Sequence, residues 1–154
     1  MIRNHQSGVG LIEVLVAVLV LSIAFLGIAA LQATSLSTNN SAMARSMATI
    51  ASYSIMDSMR ADLSNAKAGS YNNTGASALD ASACPASSSS SSLAVVQLNQ
   101  WCGQLGATFG KSSSTKGDIS CSGSGDCTII VTFDDSRAGA GGSSTQKVTV
   151  RGVL

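Results

Sequence analysis

Apolar residues run without a polar face from Val14 to Leu31, broken only by Ser22 and Gly27, and no charged side chain occurs between Val14 and Ala44. That 18-residue run would span ~27 Å as a helix at ~1.5 Å per residue, enough to reach across a bilayer core. A core helix of a soluble protein is the competing explanation. A chain of 154 residues has too little remaining mass to cover a helix that is apolar on every side. A cleavable secretory signal is the other competitor, with Arg3 as its positive region. The run exceeds the usual ~7–15-residue apolar stretch, Glu13 stands at its start, and the nearest alanine-spaced cleavage site, Ala42 to Ala44, lies far beyond its end.

Polar residues Gln32 to Asn40 follow, yet no proline or glycine stops the helix. Leu36, Met43, Met47 and Ile50 fall within about 60° of one another at ~100° per residue, and the stripe drifts on through Ile55 and Met59. The pattern predicts one helix from about Leu11 to about Lys67, stopped near Gly69, with its second half packing that stripe on a domain. Asp57 and Arg60 fall at i,i+3 on it.

Beyond Gly69 the chain turns to Ser, Gly, Asn and Ala, including the serine run Ser87 to Ser92, which is loop material. Ala94, Leu98, Trp101, Cys102 and Leu105 recur at helical spacing, with Ser92 as N-cap and Gly106 after the end. Trp101 reads as a packing anchor. Ile129, Val131 and Phe133 alternate with Thr128, Ile130 and Thr132, and Val148 and Val150 with Lys147, Thr149 and Arg151. With Gly117 to Cys121 they predict at least three strands, hence a small antiparallel sheet and an α+β class. Gly139 to Gly142 reads as a flexible hairpin loop rather than a phosphate cradle, since no helix is predicted after it.

Composition narrows the chemistry. Charged residues make up 11% of the chain and aromatics 4%, so no basic field for nucleic acid is present. The single His is His5 and the single Glu is Glu13, which leaves the body of the chain without histidine catalysis or histidine metal ligation. Serines and Lys67, Lys111, Lys116 and Lys147 would allow a Ser–Lys hydrolase, but no serine motif singles out a nucleophile. Asp118, Asp126, Asp134 and Asp135 do not follow the spacing of a calcium loop. No metal, cofactor or catalytic residue is assigned.

Four cysteines, Cys84, Cys102, Cys121 and Cys127, in a region that the apolar helix places outside the cytoplasm read as disulfides. Zinc sites show cysteines two to four residues apart, and none here are. Cys121 and Cys127 bracket a turn and would pin a hairpin, which leaves Cys84 and Cys102 to tie the serine-rich loop to the second helix. Four cysteines still allow three pairings.

The segment Gly8-Val9-Gly10-Leu11-Ile12-Glu13-Val14 resembles the processing motif of the type IV prepilin superfamily. That resemblance implies a leader over 1–8 cut by a prepilin peptidase between Gly8 and Val9, N-methylation of Val9, and Glu13 as the fifth residue of the mature chain, acting in assembly. Val9 stands where the family usually has phenylalanine, and Gly10 where it often has threonine. Pro85 is the first proline, whereas major pilins often carry one late in the apolar segment. Leu31-Gln32-Ala33, Met56 to Asp62, Ala68-Gly69-Ser70-Tyr71-Asn72, and Leu98 to Leu105 with Trp101 are similar to the PilV branch of minor pilins, the type IV pilus modification proteins.

The resemblance implies a pilin-like fold laid out as leader 1–8, transmembrane and assembly helix 9–31, amphipathic continuation 32–68 and disulfide-braced head 69–154. It implies a non-enzymatic minor pilin serving pilus assembly or priming, and through it twitching motility or adhesion. The partners would be the prepilin peptidase, other minor pilins, the major pilin and the inner membrane, without nucleic acid. The N-terminus would be cytoplasmic and the head periplasmic, before incorporation into a fibre at the cell surface. A minor pseudopilin of type II secretion and a tip adhesin are the alternatives.

The residue chemistry of Glu13 agrees with an assembly role. A carboxylate at the edge of an apolar helix is costly unless wetted at the interface or paired. Removal of 1–8 would give Val9 a new ammonium one helical turn away, which a packed neighbour's Glu13 could receive.

Overall fold

The computed structural model describes residues 10–154, and of residues 139–141 the backbone only. Helix α1 runs Leu11–Ala61, 51 residues, followed by α2 (Leu63–Lys67), a 3-10 turn (Gly75–Ser77), β1 (Leu79–Asp80), α3 (Leu93–Phe109), β2 (Lys116–Cys121), β3 (Asp126–Phe133), a second 3-10 turn (Ser136–Gly141) and β4 (Gln146–Val153). This is an α+β, pilin-like architecture: a long N-terminal helix, apolar in its first part, and a small antiparallel sheet. The chain divides into two units, one ending at Ser37 and the other Thr38–Leu154.

In the second unit the four strands form an antiparallel meander, β1-β2-β3-β4. Gly117 pairs with Val131, Ile119 with Ile129 and Cys121 with Cys127, and Val131 and Ile129 pair in turn with Val148 and Val150. Because strand side chains alternate faces, these residues share the inner face. They bury against Ala48, Ala51, Ile55, Met56 and Met59 of α1 and Ala94, Leu98, Trp101 and Leu105 of α3. Phe109 stacks on Phe133 with ring centroids 4.6 Å apart.

Four features differ from the sequence expectation. The predicted single helix to Lys67 breaks at Asp62, whose backbone leaves helical geometry (φ −126°, ψ 51°). Its carboxylate accepts from Asn65 Nδ2 (2.8 Å) and from the Tyr71 hydroxyl (3.0 Å).

The face that packs is also different. Leu36, Met43, Met47 and Ile50 stay exposed, while Ser41, Ala48, Ala51, Ser52, Ile55, Met56 and Met59 are buried, a face turned about 140° away at ~100° per residue. Small side chains decide this. Only Ala and Ser at 48, 51 and 52 let the α1 backbone approach closely enough for the Trp101 indole to donate to the Ala51 carbonyl at 2.9 Å.

Helix α3 passes Gly106, the expected stop, and ends before Gly110. Gly106 is there for close packing: a Cβ on it would lie 3.1 Å from Lys111 Cγ and 3.4 Å from the Ala81 carbonyl oxygen. The hairpin loop expected at Gly139 to Gly142 does join β3 to β4, but much of it is wound into the 3-10 turn Ser136–Gly141, closed where Asp135 N–H donates to the Ser143 carbonyl at 2.8 Å.

Candidate assembly segment

Within the unit that ends at Ser37, α1 begins at Leu11, and Gly10 offers its carbonyl to the amides of Glu13 (3.0 Å) and Val14 (3.4 Å). Glu13 thus sits in the first turn, where unsatisfied N–H groups and the helix dipole favour a negative charge. It is exposed. With Val14, Ala17, Val18 and Leu21 it lines one open recess of about 400 Å³ along a single face. Ala17, between Glu13 and Leu21 at spacing four, has the small side chain that leaves this depression in the helix surface. Gly8 and Val9 lie outside the described residues.

The rest of the segment suits an apolar surrounding. Fourteen large apolar side chains from Leu11 to Leu31 are each more than half exposed, Leu11 at 82%. Leaving them in water would forfeit on the order of 20–40 kcal/mol, more than the whole stability of an ordinary domain. The hydroxyls of Ser22 and Thr34 are satisfied by their own helix: Ser22 donates to the Val18 carbonyl (2.7 Å) and Thr34 to that of Ala30 (3.1 Å). No hydrogen bond to water is then needed from them. By length and composition this is the one helix among the described residues able to cross a membrane, and it lies near the N-terminus.

In the other unit the cysteines form two bridges. Cys84 is bonded to Cys102 across a Cα separation of 5.6 Å, fastening the segment before α3 to that helix. Cys121 is bonded to Cys127 across 4.1 Å, between paired positions of β2 and β3. No cysteine is left free.

The four aspartates noted in the sequence are not gathered into one site. Asp118 accepts from Gly75 N–H (3.0 Å), Asp126 from Ser124 (2.6 Å), Asp134 from Ser136 N–H (2.9 Å) and Asp135 from Ser41 of α1 (2.5 Å). The hydrogen bonds from Ser136, its N–H first, hold the Asp134 carboxyl below its ordinary range. Those from Ser82, hydroxyl then N–H, do the same for Asp80. Among the described residues no three metal-ligating side chains converge.

Sequence reasoning missed the buried polar joint at Tyr71. Its hydroxyl donates to Asp62 and lies against Gln97 Oε1, joining the break after α1 to α3. Burial first, then the bond and charge of Asp62, push the tyrosine well above its ordinary value. The signal was present as Asp62, Tyr71 and Gln97 in separate segments, and no local spacing connects them.

Comparisons with curated proteins and with solved structures give no match. A family model described as "Prokaryotic N-terminal methylation motif" matches residues 3–29, the stretch that holds Gly8, Val9, Glu13 and most of the apolar run. The chain therefore carries, over those residues, the N-terminal methylation motif of type IV prepilin-like proteins.

Proposed function

We propose that the chain is a minor subunit of a type IV pilus, of the PilV branch, and that it acts by assembling rather than by catalysing. One observation carries this reading: a matched methylation motif opens a helix whose apolar side chains are exposed on every side and whose first turn holds a single carboxylate. Such a segment is stable in lipid and equally stable in a bundle of like helices. Storage in the membrane and transfer to a fibre thus need no refolding of α1.

The proposed layout is leader 1–8, membrane and assembly helix 9–31, its amphipathic continuation 32–68 and a disulfide-braced head 69–154. A prepilin peptidase cuts between Gly8 and Val9, and Val9 is N-methylated. The chain then rests in the inner membrane with its head in the periplasm, before joining other minor pilins and the major pilin. In the bundle, the Val9 ammonium of one subunit meets Glu13 of the next.

Processing is tested by intact mass spectrometry of protein from peptidase-competent cells. The expected chain starts at Val9 and is one methyl heavier, and losing Arg3 with the leader leaves eight basic and eight acidic side chains from the nine and eight of the full sequence. A mass beginning at Met1 or near Arg45 contradicts it. Deleting the gene and scoring surface pili beside exoprotein secretion separates the roles. Lost pili support the pilus reading, lost secretion a type II pseudopilin, and intact pili with lost attachment a tip adhesin.

A further inference from the structure

The sheet of the second unit has two edges, and the protein treats them differently. Beyond β2 every stretch is covered. β1 pairs with Lys116 and Gly117, Asn73 exchanges backbone hydrogen bonds with Ile119 (2.9 and 3.0 Å), and the Asn72 side chain takes both the N–H (2.7 Å) and the carbonyl (3.0 Å) of Cys121.

At β4 no comparable cover is present among the described residues. Leu154 N–H donates to the Gly125 carbonyl at 3.0 Å, and the register sets Asp126 opposite Val153. Since antiparallel pairs alternate, the peptide groups of Gln146, Val148, Val150 and Gly152 face β3, while those of Lys147, Thr149, Arg151 and Val153 face outward. Arg60 caps the Val153 carbonyl (3.2 Å) and the Gln146 side chain caps that of Lys147 (3.3 Å). The outward N–H groups of Lys147, Thr149 and Arg151 and the carbonyls of Thr149 and Arg151 meet no partner among the described residues.

The surroundings of this edge are basic. Helix α1 runs beside it: Arg45 donates to the Gln146 side chain (3.2 Å) at one end and Arg60 reaches Val153 at the other. Fifteen helical residues and the eight of β4 both span about 23–26 Å. Lys147 and Arg151 project from the outer face of the same strand, opposite the buried Val150. Arg60 is paired with Asp57 at 2.8 Å, while Lys147 and Arg151 form no ion pair among the described residues.

We infer that the β4 edge is a docking site for an extended acidic segment of a partner protein, which adds as a fifth strand. Unpaired peptide groups supply the hydrogen bonds of strand addition, and the cations select the charge of the strand that arrives. A second copy is a poor occupant, because pairing two β4 edges sets like charges side by side. This edge is separate from the helix proposed to assemble the fibre.

The test is residue-resolved amide hydrogen exchange on the full chain in detergent micelles, with a peptide of about ten alternating glutamates and threonines as the probe. Without peptide, the amides of Lys147, Thr149 and Arg151 should exchange at least about tenfold faster than those of Val148 and Val150. Saturating acidic peptide should slow the three by about tenfold, and the same peptide with lysine for glutamate should not. Lys147→Glu with Arg151→Glu should weaken the peptide about tenfold, and Thr149→Pro, which removes an outward donor only, should abolish the protection. Intact disulfides and unchanged exchange at Val148 and Val150 certify that the charge-reversal variant is folded. Equal protection by the lysine peptide, binding without amide protection, no binding, or protection that grows with protein concentration alone would each overturn the inference.

Discussion

The indole N–H of Trp101 donates to the carbonyl of Ala51, 2.9 Å away, and fastens α3 to α1 from inside the core. The same ring occupies the space where a side chain at position 117 would start. A Cβ on Gly117 would stand 2.5 Å from Trp101 Cη2 and 3.0 Å from Leu105 Cδ1. Gly117→Ala must therefore shift a buried indole (3% exposed) and stretch its hydrogen bond. Overpacking of this kind typically costs ~1–3 kcal/mol. Chemical unfolding of the full chain in detergent, followed by fluorescence of this single tryptophan, should show that loss. An unchanged midpoint would mean that α3 is not held against β2 as described.

Tyr71 makes stability depend on pH at the alkaline end. Its ordinary value is about 10, and burial with the neighbouring Asp62 raises it in the folded chain. Below pH ~10 the phenol is neutral in folded and unfolded chains alike, so its contribution is complete. Above that pH the unfolded chain releases the proton while the folded chain retains it, and stability falls as pH rises. Tyr71→Phe should lose stability at neutral pH, because Asp62 and Gln97 lose a partner (~1–3 kcal/mol). It should also have a shallower alkaline limb. Identical alkaline limbs for the two proteins would contradict the buried joint.

The two bridges should differ in worth. Cys84–Cys102 closes a separation of 18 residues and Cys121–Cys127 one of six. On the chain-entropy account these correspond to about 3 and about 2 kcal/mol. Replacing Cys84 and Cys102 by serine should thus destabilise the folded chain more than replacing Cys121 and Cys127, which the β2–β3 ladder already holds together. The reverse order, measured by urea unfolding, would contradict this assignment of roles. Peptide mapping without reductant reads the pairings directly.

What the sequence disclosed, and what it withheld, follows from the range of each interaction. The apolar run from Val14 to Leu31, the alternation in β3 and β4 and the Ser92 cap are local patterns, and each element stands at or near its expected place. The packing face of α1 is not local. Large side chains at Leu36, Met43, Met47 and Ile50 mimic a core stripe, but the close approach of the Trp101 indole needs small residues opposite it, so Ala48, Ala51 and Ser52 face inward. The same holds for Gly106, which looked like a stop and is a contact, and for Asp62, whose break is held by Tyr71 nine residues on. At the start of the apolar helix, Glu13 stood out through its motif. The β4 edge was not, because an edge is defined by which strand fails to arrive.

The central claim is that α1 assembles rather than merely anchors, and Glu13 decides between the two. For an anchor, Glu13→Gln removes a carboxylate whose burial among lipids costs at least ~2–3 kcal/mol, so insertion and retention should be unchanged or improved. For an assembling helix, the Val9 ammonium of a neighbour would be left unpaired in a bundle of low dielectric, at a cost of ~3–5 kcal/mol. The decisive measurement is the ratio of Glu13→Gln to wild-type protein in sheared, purified fibres, normalised to the cleaved protein in the inner membrane. The account predicts normal insertion and cleavage with near-complete loss from the fibres. Equal recovery of the two proteins in fibres would contradict it.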